Sequence, residues 1–256
     1  MISPAVAVPA LQLDGVWVSY GSDPPALCDV SLSILPGERR AIVGPSGSGK
    51  STLLKLLKGL VPAVQGGVST LGVAVNGRRP DRTVRERVGY IPQNLGLVGS
   101  ATALENALMG AFHRVGEVSS WLGVFPRREK SRALHALETT GLAPLAGRKA
   151  HQLSGGEKRR LAVARALVQT PEVLLADEFL SELDDGTAGQ VLRALEAAHR
   201  ELGMTIVMVE HDLRVARSFC DVVTVLDCGW KIAEGSREEL DEETIRSLIC
   251  ERCLAR

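Results

Sequence analysis

Apolar positions in the first third of the chain fall in short blocks divided by turn-forming residues. Residues 11–20, 31–35 and 40–43 read as strands, with a Pro36-Gly37 turn ahead of the third. Residues 173–176 and 205–209 are again short, apolar and β-branched, and a helix-forming stretch precedes each. Strands that alternate with helices in this way predict βαβ units and a parallel sheet. Between residues 101 and 167 the apolar spacing changes to a helical period, rich in Ala, Leu, Arg and Glu, and predicts a helical insertion. Residues 236–256 mix acidic and basic side chains as an amphipathic helix does, rather than a disordered arm. No internal repeat or low-complexity segment stands out.

With 256 residues and 45% hydrophobic content, the chain can bury a large core, so one α/β domain with subdomains is expected. Thirty basic and thirty acidic side chains cancel, which removes the global electrostatic argument for nonspecific nucleic-acid binding but excludes no local patch. The charge is uninformative about partners, and no nucleic acid is assigned as one. No stretch reaches the roughly 18 apolar residues that a spanning helix needs. A role at a membrane therefore implies docking to other subunits. Residues 1–10 lack a basic leader and do not read as a secretory signal. Five cysteines at irregular positions do not form a disulfide framework and suit a reducing cytoplasm. Cys250 and Cys253 have CxxC spacing, but no second pair accompanies them, and they read as thiols near a helical C-terminus.

Gly44, Pro45, Ser46, Gly47, Ser48, Gly49, Lys50 and Ser51 satisfy GxxxxGKS/T, between an apolar strand and a helix former that begins at Thr52. Glycines in such a loop let backbone N–H groups curl around phosphate oxygens. Lys50 then reaches the β and γ phosphates, and Ser51 ligates Mg²⁺. Downstream, an apolar strand ends in Asp177 and Glu178. A carboxylate at that edge of a parallel sheet lies where ligands bind, so Asp177 is placed to hold the Mg²⁺ shell, and Glu178 to orient or deprotonate the attacking water. These two motifs alone admit kinases, GTPases, helicases and repair ATPases. A third, Leu153-Ser154-Gly155-Gly156-Glu157, opens a strong helix and offers a second set of exposed N–H donors, although Ser154 and Glu157 also make a plain capping box.

Here the sequence resembles the ATP-binding cassette (ABC) family, whose signature motif LSGGE matches. The resemblance implies a P-loop NTPase fold of the ABC type, with a RecA-like parallel sheet core, an N-terminal antiparallel β region and a helical subdomain. The expected core is residues 1–93 and 168–256, and the expected helical subdomain residues 94–167. The resemblance makes Tyr20 the aromatic that stacks on adenine, Gln93 the glutamine that senses Mg²⁺ and the transport partner, Asp184 the aspartate of the loop after the catalytic glutamate, and His211 the switch histidine at the γ-phosphate. It further implies ATP and Mg²⁺ as cofactors and a head-to-tail dimer, each ATP lying between one protomer's phosphate loop and the other's Ser154 region. Two departures concern loop geometry and cross-dimer communication: Phe179 stands where the family usually has proline, and Ser181-Glu182-Leu183-Asp184 replaces a Ser-Ala-Leu-Asp-like loop.

Residues 104–142, with Trp121 and Phe125 followed by a Pro-Arg-Arg-Glu-Lys helix start, are similar to the ATP-binding subunits of phosphonate importers, a group with relatives for phosphite and hypophosphite. Tyr90-Ile91-Pro92-Gln93-Asn94 and the following Leu95 to Val98 resemble that group too, with Pro92 where Phe is common. The resemblance implies integral membrane permease subunits, a periplasmic substrate-binding protein reached through them, and a peripheral position on the cytoplasmic face of the inner membrane. It places the groove for a permease helix at residues 93–109. An ABC exporter or lipoprotein-release motor, an importer for another solute, and a soluble ABC protein of the translation or DNA-repair type remain as alternatives. The last usually carries two cassettes or a long coiled-coil insertion, and this chain has neither.

Overall fold

The computed structural model describes residues 8–21, 24–75, 81–115, 124–181 and 183–254. They fall into two compact units, one formed by Met1–Arg85 with Thr205–Arg256 and the other by Glu86–Met204.

In the first unit β1 (Leu11–Val18) lies between β2 (Leu27–Ile34) and β4 (Gln65–Thr70), with β5 (Val73–Ala74) beyond, in an antiparallel sheet of order β2-β1-β4-β5. Leu11, Leu13, Val16 and Val18 of β1 and Val30, Leu32 and Ile34 of β2 are buried, so one face of the sheet carries the core. β2 starts four residues earlier than its sequence predicts. Leu27 and Cys28 are both buried, and Asp29 at φ 50 interrupts the alternation that would have marked the strand.

The same unit holds β3 (Arg39–Val43), which pairs in parallel with β8 (Thr205–Val209) and β9 (Val222–Asp227); β10 (Trp230–Ser236) closes against β9 as an antiparallel hairpin. All five residues of β8 and four of the five of β3 are buried, as parallel strands covered on both faces require. The buried guanidinium of Arg40 is held by Glu38 at 2.6 Å and Glu234 at 2.8 Å. Trp17 of β1 and Trp230 of β10 pack edge to face, 5.7 Å between centroids. Helices α1 (Lys50–Leu57), α7 (Leu213–Phe219) and α8 (Glu242–Leu254) complete the unit, and α2 (Arg82–Arg87) ends in the second. The amphipathic helix expected over residues 236–256 is confined to α8, because the chain is still in β10 at Ser236.

In the second unit β6 (Val88–Ile91) and β7 (Val173–Asp177) pair in parallel. Helices α3 (Ala103–Leu108), α4 (Arg127–Thr139), α5 (Gly155–Val168) and α6 (Asp185–Leu202) make up most of the rest. Their shared core is small and aliphatic: Ala107, Leu108, Ala133, Leu137, Leu161 and Ala164 are all buried. Thr102 caps α3, accepting from the Glu105 N–H while the Glu105 carboxylate accepts from Thr102. Buried Glu129 is held by Arg114 and Arg132, each at 2.8 Å, and Arg114 before any other group keeps its carboxyl below the usual range. Trp121 and Glu182 lie outside the described residues, and so do the side chains of Cys250 and Cys253. Among the described residues no helix is long and apolar enough to cross a membrane.

Candidate active site

The first unit carries the phosphate-type loop between β3 and α1. A Cβ on Gly44 would lie 2.0 Å from the Leu226 carbonyl oxygen, and one on Gly49, at φ 101, would lie 2.4 Å from that of Ala26. Only glycine fits where the loop is pressed against those two strand ends. Gly229 N–H donates to the Ser48 carbonyl at 3.0 Å and fixes the loop from the β9–β10 turn. At the other end α1 begins with no side-chain cap and no acidic residue in its first turn, so its leading N–H groups and positive dipole end suit an anion.

Ser48 Oγ is buried with no hydrogen-bond partner. An orphaned hydroxyl of this kind costs roughly 1–3 kcal/mol, and a phosphate oxygen would satisfy it. Lys50 is 4% exposed, and its ammonium donates to the carbonyls of Gly44 at 3.0 Å and Pro45 at 2.8 Å. Ser46 and Gly47 are exposed, and Ser51 is half-buried. Tyr20 is 46% exposed, and its hydroxyl donates to Thr52 Oγ1 at 3.4 Å, beside the start of α1. Gly44, Pro45 and His211 line one cavity of about 740 Å³, together with Asp212 and Arg246. Asp212 caps α7 and pairs with Arg214, which before other groups holds its carboxyl below the usual range.

The second unit assembles the carboxylates. Asp177 is 5% exposed at the end of β7, and the Tyr90 hydroxyl donates to its Oδ2 at 3.3 Å. Burial first, and then the Asp177 charge, push the Tyr90 phenol well above its ordinary value, so it stays a donor. Nothing in the local sequence marks Tyr90 as part of the site. Its place follows from β6 pairing with β7, Tyr90 opposite Leu175, which no local pattern announces.

Glu178 adopts a left-handed backbone, φ 46, and its Oε2 accepts from Gln93 Nε2 at 3.1 Å. Phe179 is fully buried. Ser154 and Glu157 form the reciprocal capping box at the head of α5, with Ser154 N–H donating at 2.7 Å to Glu157, whose carboxyl is held low chiefly by that bond. Gly155 is exposed, and Gly156 is buried. Asp184 caps α6, accepting from Thr187 N–H at 3.0 Å and from its hydroxyl at 2.7 Å; the hydroxyl is the larger cause of the low Asp184 carboxyl. Among the described residues no three His, Cys, Asp or Glu side chains gather as a metal cage.

Residues 27–181 match the family model described as ABC transporter. The chain is 39% identical over 242 residues to the "Phosphonates import ATP-binding protein PhnC" of Maricaulis maris (strain MCS10), covering 92% of this chain and 91% of that one. It is 42% identical over 221 residues to the "Methionine import ATP-binding protein MetN" of Caulobacter vibrioides (strain ATCC 19089 / CIP 103742 / CB 15), covering 84% of this chain and 63% of that one. Among solved structures, the dimeric post-hydrolysis state of the ATP-binding cassette MJ0796 bound to ADP and Pi superposes with a TM-score of 0.75 at 32% identity, over 89% of this chain and 98% of that one. A glycine-pinned anion loop, strand-end carboxylates and a capped LSGGE helix on this fold have one family explanation: the chain belongs to the ABC transporter family, as an ATP-binding and ATP-hydrolysing cassette.

Proposed function

We propose that this chain energises import of phosphonate-class anions, meaning phosphonate, phosphite or hypophosphite. It works as a head-to-tail pair on the cytoplasmic face of the cell membrane, against integral permease subunits fed by a periplasmic binding protein. The observation that carries the substrate class is the 39% identity to the M. maris phosphonate protein across 92% of this chain. Import of another solute is the second reading, favoured by 42% identity to the methionine protein over 84% of the chain.

The residues present fit ATP and Mg²⁺. Ser48 Oγ is an orphaned buried hydroxyl, and the loop admits no Cβ at Gly44 or Gly49. Ser51, Gln93 and Asp177 offer hard oxygen donors, the chemistry Mg²⁺ prefers, and Mg²⁺ commonly takes only one or two protein carboxylates with substrate phosphates. When bound, it neutralises charge developing on the transferred phosphoryl group.

The chain's own residues supply the rest. The amides from Gly44 to Thr52 cradle the phosphates, and Lys50 exchanges the Gly44 and Pro45 carbonyls for phosphate oxygens. Tyr20 stacks on the base and His211 contacts the γ-phosphate. Glu178, oriented by Gln93, takes the proton of the attacking water. Ser154, Gly155, Gly156 and Glu157 face the partner's nucleotide, and Asp184 lies along the dimer seam. Hydrolysis releases the pair, a population shift that the permease converts to alternating access.

The test is transport in proteoliposomes holding this chain with a phosphonate-importer permease, a substrate-binding protein and ATP. Methylphosphonate or phosphite should be taken up and should stimulate ATPase activity. Stimulation by methionine with no response to phosphonates would replace this reading with the second.

A further inference from the structure

The loop behind Glu178 is fastened from the signature helix. Arg159, in the second turn of α5, sends Nε to the Phe179 carbonyl at 2.6 Å and Nη2 to the Ser181 carbonyl. Ser181 Oγ donates in turn to the Glu178 carbonyl at 2.8 Å. Three carbonyls next to the carboxylate are therefore bonded, two of them by one planar guanidinium whose fork spans positions that a single ammonium cannot. The need is local. Glu178 sits at a positive φ that a residue with a Cβ rarely adopts, and such a conformation persists only where its surroundings over-determine it.

Beyond the loop, Thr187 lies close against the same helix. A Cβ on Gly156 would lie 2.3 Å from Thr187 Cγ2, and Thr187 is bonded to Asp184. The start of α5 thus bonds residues 179 and 181 and packs closely against Thr187 while presenting Ser154 at its head.

We propose that Arg159 is a positioning residue for hydrolysis, holding Glu178 through its backbone and tying that carboxylate to the helix that meets the partner's nucleotide. The proposal rests on the reading of Glu178 as the group that activates water. Arg159 bonds the loop's carbonyls and is given no part in holding ATP, so its loss should act on turnover rather than on nucleotide affinity.

The full-length chain is assayed as Arg159→Ala and Arg159→Lys beside Glu178→Gln. Arg159→Ala should lower kcat by about tenfold or more, with KM and ATP affinity within about twofold of the parent. Guanidinium chloride at about 20 mM should restore part of the lost rate, because the ion can refill the gap between the carbonyls. Arg159→Lys, which keeps the charge and stem, should fall between the two and serves where the alanine variant does not fold. A parental kcat in whichever variant folds overturns the proposal, and so does a rate loss matched by lost ATP affinity with no guanidinium response. Glu178→Gln separates the two claims: parental hydrolysis there removes the Glu178 reading itself, whereas a stalled Glu178→Gln beside an unaffected Arg159→Ala removes only the Arg159 assignment.

Discussion

The Gln93 amide and the Glu178 carboxylate meet at 3.1 Å, joining the residue after β6 and Pro92 to the residue after β7. With the amide nitrogen facing the carboxylate, its oxygen is left for a cation. Gln93→Ala should therefore lower kcat by about tenfold, less than the roughly hundredfold or more that a general base itself contributes, and raise the Mg²⁺ concentration needed for half-maximal rate. Steady-state ATPase assays across a magnesium titration check it. An unchanged metal midpoint would remove Gln93 from the metal shell.

Glu178→Gln keeps size and hydrogen-bonding capacity while losing the carboxylate's basicity. ATP affinity should hold while hydrolysis falls by at least about a hundredfold, the contribution of a general base. The stalled protein should accumulate as an ATP-bound dimer in size-exclusion chromatography with light scattering. Ser154→Arg added to it should abolish that dimer by obstructing the facing γ-phosphate. A Glu178→Gln protein that stays monomeric at saturating Mg-ATP counts against the sandwich.

Lys50 is buried, with two loop carbonyls as partners. Lys50→Ala removes the one side-chain cation of the phosphate loop. Charge-assisted bonds of this type contribute about 1.5–3 kcal/mol each, so ATP affinity should drop by at least tenfold and turnover should cease. Equilibrium dialysis with labelled ATP reads the first and phosphate release the second.

Lys58, at the C-terminal end of α1, is desolvated by burial, which lowers its pKa to about 8. The unfolded chain, with an ordinary lysine, binds the proton more tightly. The penalty is thus fully present below pH 8, and stability should rise as pH increases from about 8 towards 10.4. Lys58→Met should flatten that rise and stabilise the protein at pH 7 by on the order of 1–3 kcal/mol. Urea titrations of both proteins at pH 7, 8.5 and 10 make the comparison, and parallel curves would show that burial does not lower the Lys58 pKa.

What was legible in the sequence was chemistry carried by contiguous residues. The strand–loop–helix around Lys50 announces itself because glycine, lysine and serine must follow one another for the loop to work. Ser154 is legible because capping acts over three residues, whereas Asp184 is singled out only by the family resemblance. Tyr90 against Asp177 is a relation between strands 87 positions apart, set by sheet order rather than by local pattern. Arg159 is equally silent, one basic residue among several on a helix, with carbonyl partners 20 and 22 positions away. The start of β2 at Leu27 is hidden in the sequence because a left-handed Asp29 breaks its alternation.

The edge-to-face contact of Trp17 and Trp230 equips the first unit with an optical probe. Trp230 follows Gly229, whose N–H is bonded to Ser48 in the phosphate loop. Coupled indole transitions give a near-ultraviolet dichroism band that depends on the angle between the rings, 79° here. A nucleotide that shifted the Ser48 backbone would pull on the turn that carries one ring of the pair, so ligand arrival should register in the near-ultraviolet dichroism of the unlabelled protein.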